Sequence, residues 1–156
     1  MKNALAFLTL LFLFTSTNLH ADEGNKNEKG AQVYELRIYS ANEGKLDVLN
    51  ARFRNHTCKL FEKHGLTNVG YWVPADKSDN RLIYVISSPN RAAHTKSWKA
   101  FLNDPDWKKA YKASIKNGAL VAKIDSTFMS ATDYSPAVKS VITKDIRVFE
   151  LRTYTT

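Results

Sequence analysis

The chain has 156 residues, of which 44% are apolar, and carries a formal net charge of +8. This length is typical of a single domain with one core. A net positive charge is typical of proteins that bind nucleic acid or anionic lipid, and it also favours solubility. The lysines between residues 96 and 116 recur at helical spacing, so we attribute most of the charge to a solvated helix face. Cys58 is the only cysteine, which excludes an intramolecular disulfide.

Residues 1–21 have the layout of a secretory signal. Lys2 precedes an apolar run over residues 4–14, and a polar stretch follows that ends at Ala21. The apolar run is shorter than the ~20 residues that span a bilayer. We therefore predict a signal peptide cleaved after Ala21 and a flexible polar spacer over residues 22–30. The mature protein is expected to be exported, either periplasmic or secreted, without a stable membrane span, and an uncleaved anchor is the alternative.

The first half of the mature chain predicts a strand, a helix and two further strands. VYELRIY, within residues 32–39, is rich in β-branched and aromatic residues and predicts a strand. Residues 44–64 have helical periodicity and end before Gly65. Strands are predicted over residues 69–74 and 82–86, with a turn at 76–80. The run LIYVI in the second of these does not alternate, which indicates a sheet covered on both faces.

The second half predicts helical structure and a closing strand. Ser88 followed by proline predicts a helix start, and Asp104 followed by proline predicts a second, shorter helix that ends at Gly118. Residues 120–132 predict the last strand. The order β-α-β-β-α-β predicts an α+β fold of the ferredoxin-like type, with an antiparallel sheet that carries its helices on one face. The apolar stripe of the first of these helices comprises His94, Trp98, Phe101 and Leu102.

This topology leaves one apolar sheet face uncovered. An exposed apolar face of that size is expected to pair with another sheet, from a homo-oligomer or from a second domain of the same chain. The motif VYELRIYS at residues 33–40 returns as VFELRTYT at residues 148–155. We therefore predict a domain over residues 31–136, a linker over 137–146, and the first strand of a possible truncated second domain over 147–156. An extra edge strand of the first domain is the alternative.

Several separate motifs resemble the NIPSNAP family. They occur in order over residues 32–136, and they are VYELRIY, LFEKHG, VGYWVP, SPNRAAHTKSWKAFLNDPDW and DYSP. The resemblance implies the fold of the dimeric α+β-barrel superfamily, in which some members carry two domains in tandem. Related barrel families include cofactor-free monooxygenases and haem-binding enzymes, which implies a ligand pocket by analogy. The resemblance to the NIPSNAP family implies no particular reaction and no particular cofactor.

The sequence shows no known catalytic constellation. It contains no phosphate-binding loop, dinucleotide fingerprint, zinc-protease motif, nucleophile elbow or Cys-x-x-Cys pair. We predict no metal site, because His56 and His64 are about two helical turns apart. Nucleic acid is not an expected partner, because RLIYVISS lacks the aromatic pattern of an RNA-binding strand. The preferred function is an exported binding or association module. A small-molecule enzyme of the dimeric α+β-barrel type, either cofactor-free monooxygenase-like or haem-binding, is the alternative.

The candidate site residues are the polar or amphipathic side chains that point inwards from helices and strands whose other inward side chains are apolar. Any pocket for a small-molecule ligand is expected between the first helix and the sheet, with His56, Arg37, Tyr39 and Trp72 near its wall. Glu35 and Arg37 share one strand face with Tyr39. Arg37 could hold an anionic ligand that Glu35 orients, or the two could form a structural ion pair. We prefer the second interpretation, because a buried charge needs a partner in either case.

Overall fold

The computed structural model describes residues 32–136 and 147–154. The predicted signal, the spacer and the linker at 137–146 lie outside these ranges. The described strands are β1 (Val33–Ala41), β2 (Thr67–Trp72), β3 (Arg81–Ser88) and β4 (Val121–Ser130). The α-helices are α1 (Leu46–Arg52), α2 (Cys58–Lys63), α3 (Arg91–Asn103) and α4 (Pro105–Ser114), and a π-helical segment (Phe53–Thr57) joins α1 to α2.

The strands form one antiparallel sheet in the order β2-β3-β1-β4. The predicted ferredoxin-like β-α-β-β-α-β topology is therefore confirmed. In the central strand β1, Arg37 lies opposite Tyr84 of β3 and opposite Ser126 of β4. This register places the polar side chains of β1 in the middle of the helix-covered face.

The core lies between the helices and strands β1 to β3. Tyr84 is fully buried at its centre, with ring centroids 5.1 Å from Phe53 and 5.4 Å from Tyr71. Phe61 and Phe101 pack beside it at 4.7 Å from each other. Burying each such side chain contributes roughly 1.5–3 kcal/mol, so packing alone can stabilise the domain without a disulfide.

The first helix is interrupted by the π-helical segment, although the sequence predicted an unbroken α-helix. A π-turn contains one more residue than an α-turn, so residues five apart lie on one face. Arg52 and Thr57 are accordingly both buried, and the Thr57 hydroxyl donates to the Arg52 carbonyl at 3.3 Å. The extra residue turns His56 outwards, and its side chain is exposed.

Helix α3 begins later than predicted. Ser88 is the last residue of β3, and the N-cap is Asn90, whose Oδ1 accepts a hydrogen bond from the Ala93 amide at 2.8 Å. The prediction of Ser88 as the cap was wrong because an Asn two residues later caps the helix. Leu102, predicted on the apolar stripe, is 45% exposed.

Asp104 starts α4, as predicted. Its Oδ1 accepts a hydrogen bond from the Asp106 amide at 2.7 Å. Its Oδ2 lies 2.7 Å from Lys63 Nζ and 2.6 Å from His64 Nε2, at the end of α2. Hydrogen bonds from Lys63 and His64 hold the pKa of Asp104 well below its usual range. These contacts join the end of α2 to the start of α4, which gives His64 a structural role.

The sheet face away from the helices carries apolar side chains, including Leu36, Ile83 and Val85. Trp72 lies on this face, opposite Ile83. Residues 147–154 form neither a helix nor a strand, so the strand predicted there is absent from this described segment. Phe149 of this segment contacts Trp72, with ring centroids 5.8 Å apart. No helix in the described ranges is long and apolar enough to cross a membrane.

Candidate functional site

A cavity of about 530 Å³ lies between the sheet and the helices. It forms because the helices cover β1 to β3 more fully than the edge strand β4, whose inward side chains Ile124 and Phe128 remain 48% and 38% exposed. Most of the wall is aromatic or aliphatic. The lining residues of the described chain are Arg37, Tyr39, Arg52, Phe53, Thr57, Phe61, Trp98, Phe101, Trp107, Tyr111, Ile115 and 119–124.

Glu35 and Arg37 form an ion pair at the edge of this cavity. Arg37 Nη1 lies 2.5 Å from Glu35 Oε1, and the Ser126 hydroxyl donates to the same oxygen at 2.5 Å. Burial alone would raise the pKa of Glu35, but the contacts with His94, Ser126 and Arg37 outweigh it and lower that pKa. Glu35 is therefore a buried carboxylate that stays ionised at neutral pH.

His94 of α3 approaches the other oxygen of Glu35. Its Nε2 lies 2.9 Å from Oε2, yet neither atom has a well-aligned hydrogen-bond partner. The His94 ring is buried and stacks on Trp98, with centroids 5.9 Å apart. Both Glu35 and His94 border a second cavity of about 460 Å³ beside Phe128. The helical periodicity predicts His94 on an apolar stripe but not its contact with Glu35. The available signal was a histidine on a helix stripe that faces a strand with a buried carboxylate.

Arg37 borders both cavities and is held in place by its neighbours. Its guanidinium carbon lies 4.4 Å from the centroid of the Trp98 ring, and Nη2 donates to the Tyr39 hydroxyl at 3.4 Å. Burial disfavours the charge of Arg37, but Tyr84, Tyr39 and Glu35 together raise its pKa. Arg37 is therefore a fixed, charged group whose counter-ion is Glu35, although its Nε is buried without a hydrogen-bond partner.

Arg52 is a second arginine in the wall of the larger cavity, and unlike Arg37 it is buried. It is 6% exposed, and burial lowers its pKa. Its Nη1 donates to the Ser114 hydroxyl at 3.1 Å, and its guanidinium carbon lies 5.3 Å from the Trp107 ring centroid and 5.4 Å from that of Tyr111. Arg52 Nε is buried without a hydrogen-bond partner. Sequence periodicity missed Arg52 because only the π-helical segment places it on the same face as Thr57.

The structure separates the four predicted pocket residues. Arg37 and Tyr39 line the larger cavity together. His56 is exposed and lines neither cavity, so the prediction that it faces the pocket was wrong. Trp72 lies on the opposite face of the sheet, because the register of β2 shifts between Asn68 and Gly70. An irregularity of this kind reverses the faces of the residues after it.

The described residues offer little to a metal or haem group. Residues 32–136 and 147–154 contain no group of three or more His, Cys, Asp or Glu that could hold a metal ion. The described wall of the larger cavity contains no histidine, cysteine or methionine, which are common axial ligands of haem iron. Of the usual axial ligands of haem iron, the described wall contains only tyrosine, as Tyr39 and Tyr111.

The family model of NIPSNAP matches residues 34–136. The chain belongs to the NIPSNAP family. This match confirms the resemblance found in the sequence and extends from the second residue of β1 to residue 136, after β4. No curated protein matches the chain.

Solved structures of NIPSNAP proteins share the fold. An uncharacterised NIPSNAP-like domain protein from Burkholderia xenovorans has a TM-score of 0.62 and 13% identity, and covers 74% of this chain and 97% of its own. A NIPSNAP family protein of unknown function from Agrobacterium tumefaciens has a TM-score of 0.60 and 17% identity, with 69% and 94% covered. SnoaB, a cofactor-independent oxygenase from Streptomyces nogalater, has a TM-score of 0.50 and 15% identity, with 69% and 99% covered. The fold is thus of the dimeric α+β-barrel type.

Proposed function

We propose that this NIPSNAP domain is a binding module for a small, largely apolar molecule, which enters the larger cavity beside β4. The observation that carries the proposal is the size and character of that cavity. Its volume of about 530 Å³ falls in the range of roughly 300–1,000 Å³ that small-molecule pockets have. Its wall combines aromatic rings with a few fixed polar groups, which is the usual composition of such pockets.

The side-chain packing around the cavity favours the interpretation of the cavity as a ligand site over that of a packing defect. Protein interiors are close-packed, and voids much larger than a water molecule are few. Here the wall includes the half-buried rings of Trp98 and Trp107, whose apolar surface a ligand would remove from water. The same rings also hold Arg37 and Arg52 in place, so the cavity has a fixed shape before any ligand enters.

The proposal includes export and self-association. Export rests on the signal-like order of residues 1–21, and it places the ligand outside the cytoplasm. Association rests on the apolar sheet face away from the helices, where Ile83 and Val85 are partly buried and Leu36 is 7% exposed. A second sheet on this face, from another copy or from a second domain, would leave the cavity on the helix side accessible.

An enzymatic role is the second candidate, and the buried Glu35–His94 pair is the observation that favours it. A carboxylate that orients a histidine is a common arrangement in general acid–base catalysis. We rank it second because Glu35 Oε2 and His94 Nε2 lack a well-aligned hydrogen bond, and because Arg37 and Ser126 already occupy the other oxygen of Glu35. The likeness to the oxygenase concerns the fold alone.

A neutral fluorescent probe tests the binding function. N-phenyl-1-naphthylamine should bind the purified protein saturably at one site, with increased emission. Ala122 is exposed at the cavity mouth, so Ala122→Trp should block entry at little cost in stability. We expect the variant to lose affinity by about tenfold or more.

Ala113→Trp is the matched control, because Ala113 is exposed on α4 and does not line the cavity. It should bind the probe as the wild type does. Equal affinity of the wild type and Ala122→Trp would overturn the proposal, and so would the absence of saturable binding to the wild type.

A further inference from the structure

The charges around the larger cavity point to a more specific ligand. We infer that the ligand carries one carboxylate and that Arg52, rather than Arg37, binds it. The inference rests on the proposed function, since it concerns the same cavity, and it narrows the ligand class to apolar or aromatic carboxylates.

The described wall of the cavity contains basic side chains and no acidic one. Arg37 is already paired with Glu35, and Lys123 Nζ lies 2.9 Å from Asp125 Oδ1. Arg52 is different: within residues 32–136 and 147–154, no carboxylate oxygen lies within 4.0 Å of its guanidinium. It is thus the lining cation without a counter-ion in the described chain.

Burying a cation without a counter-ion is costly, and the local contacts offset the cost only in part. A buried charge normally has a partner that is itself hydrogen-bonded. The rings of Trp107 and Tyr111 supply cation–π contacts, and Ser114 accepts one hydrogen bond. These contacts keep the guanidinium in the wall but leave its charge uncompensated.

The free edge of Arg52 matches a carboxylate. Nη1 is occupied by Ser114, whereas Nε is buried without a partner and Nη2 makes no hydrogen bond within the described residues. Nε and Nη2 form one side of the guanidinium fork, and two parallel N–H groups of this kind bind both oxygens of a carboxylate. The aromatic residues around the fork would then contact the apolar body of the ligand.

A purely structural role for Arg52 is the competing explanation, because its contacts join α1 to α4. The two explanations differ in selectivity. A structural arginine supports the binding of charged and neutral ligands equally. An anion-binding arginine distinguishes a carboxylate from its neutral amide.

Calorimetry with 2-naphthoate and 2-naphthamide separates them. These probes have the same ring system and nearly the same shape, but only the first is charged. The wild type should bind 2-naphthoate about tenfold or more tightly than 2-naphthamide. Arg52→Met should lose this preference and keep its affinity for 2-naphthamide within about twofold, since Met retains much of the apolar stem.

Arg54→Met is the control, because Arg54 is exposed two residues later, in the π-helical segment, and its loss changes the net charge equally. It should retain the preference for 2-naphthoate. Arg52→Lys should keep part of the preference, because a point charge replaces the fork.

The outcomes also separate this inference from the proposed function. Equal affinity of the wild type for both probes, or an unchanged preference in Arg52→Met, would overturn the role of Arg52 while the binding function stands. If neither probe binds the wild type saturably, the binding function itself fails. If Arg52→Met does not fold, the preference of the wild type decides the matter, with Arg52→Lys as the variant.

Discussion

His94 Nε2 lies 2.9 Å from Glu35 Oε2, so helix α3 meets the central strand β1 through two buried polar side chains. Glu35 also accepts hydrogen bonds from Arg37 and from Ser126 of β4. It therefore connects the neighbouring strands β1 and β4 with helix α3. Removing one member of such a network leaves the others buried without partners. We interpret the pair as a fixed support for Arg37, which lines the larger cavity.

The first prediction concerns the stability of this network. Glu35→Gln should lower the free energy of unfolding by about 1–3 kcal/mol at neutral pH, because buried donors lose a charged acceptor. The pKa of Glu35 is lowered by folding, so its contribution is present above the unfolded value near 4.5 and is lost as the pH falls through the folded value. Urea unfolding from about pH 3 to about pH 7, on both sides of the unfolded pKa, should show a weaker acid dependence in the variant.

Glu62→Gln provides the control for this measurement, since Glu62 is exposed in α2. Its stability should stay within about 0.5 kcal/mol of the wild type. An equally small effect of Glu35→Gln would contradict the interpretation of Glu35 as a buried, charged support.

The second prediction concerns the π-helical segment. Deleting the exposed residue Asn55 should convert this segment to a regular α-helix and leave the flanking buried residues in place. The cost should be about 1–2 kcal/mol, typical of a modest mutation. Deleting the exposed Lys99 from the regular helix α3 rotates Phe101 out of the core and should cost more than about 3 kcal/mol. Similar losses for both deletions, measured by urea unfolding, would argue against an extra residue in the first helix.

The third prediction concerns association through the sheet face away from the helices. Val85 lies at its centre beside Leu36, and Val85→Lys would place a charge in the expected interface. Light scattering should show a dimer or larger species for the wild type and a smaller mass for the variant. Lys96→Glu, on the exposed surface of α3, should leave the mass unchanged. A stable wild-type monomer at micromolar concentration would contradict the prediction.

The fourth prediction concerns export. N-terminal sequencing of the protein from its native host should begin near Asp22, after the predicted signal. Recovery of soluble protein that still begins at Met1 would count against cleavage and against an exported ligand.

Local sequence patterns predicted the fold because most of its helices and strands are determined by the residues within and next to them. The alternation around Glu35 and Arg37 and the cap at Asp104 depend on short-range chemistry. The π-helical segment has no such signature: Arg52 and Thr57 are buried because the core on both sides determines the phase of the helix. The irregular register of β2, which separates Trp72 from the site, likewise arises from pairing with β3.

Site prediction therefore failed wherever tertiary packing sets the direction of a side chain. Arg37 and Tyr39 were found because strand alternation places them together. His56 was wrongly included and Arg52 was overlooked for one reason, the additional residue in the first helix. His94 was overlooked because its partner lies far away in sequence.

A crystal structure of the protein with 2-naphthoate would show directly whether Arg52 binds the carboxylate. We expect the naphthalene ring to lie in the cavity between β4 and the helices, with both carboxylate oxygens within hydrogen-bonding distance of Arg52. The Glu35–Arg37 ion pair should remain intact. A ligand bound on the sheet face away from the helices, or a carboxylate that displaces Glu35 from Arg37, would contradict the proposed role of Arg52.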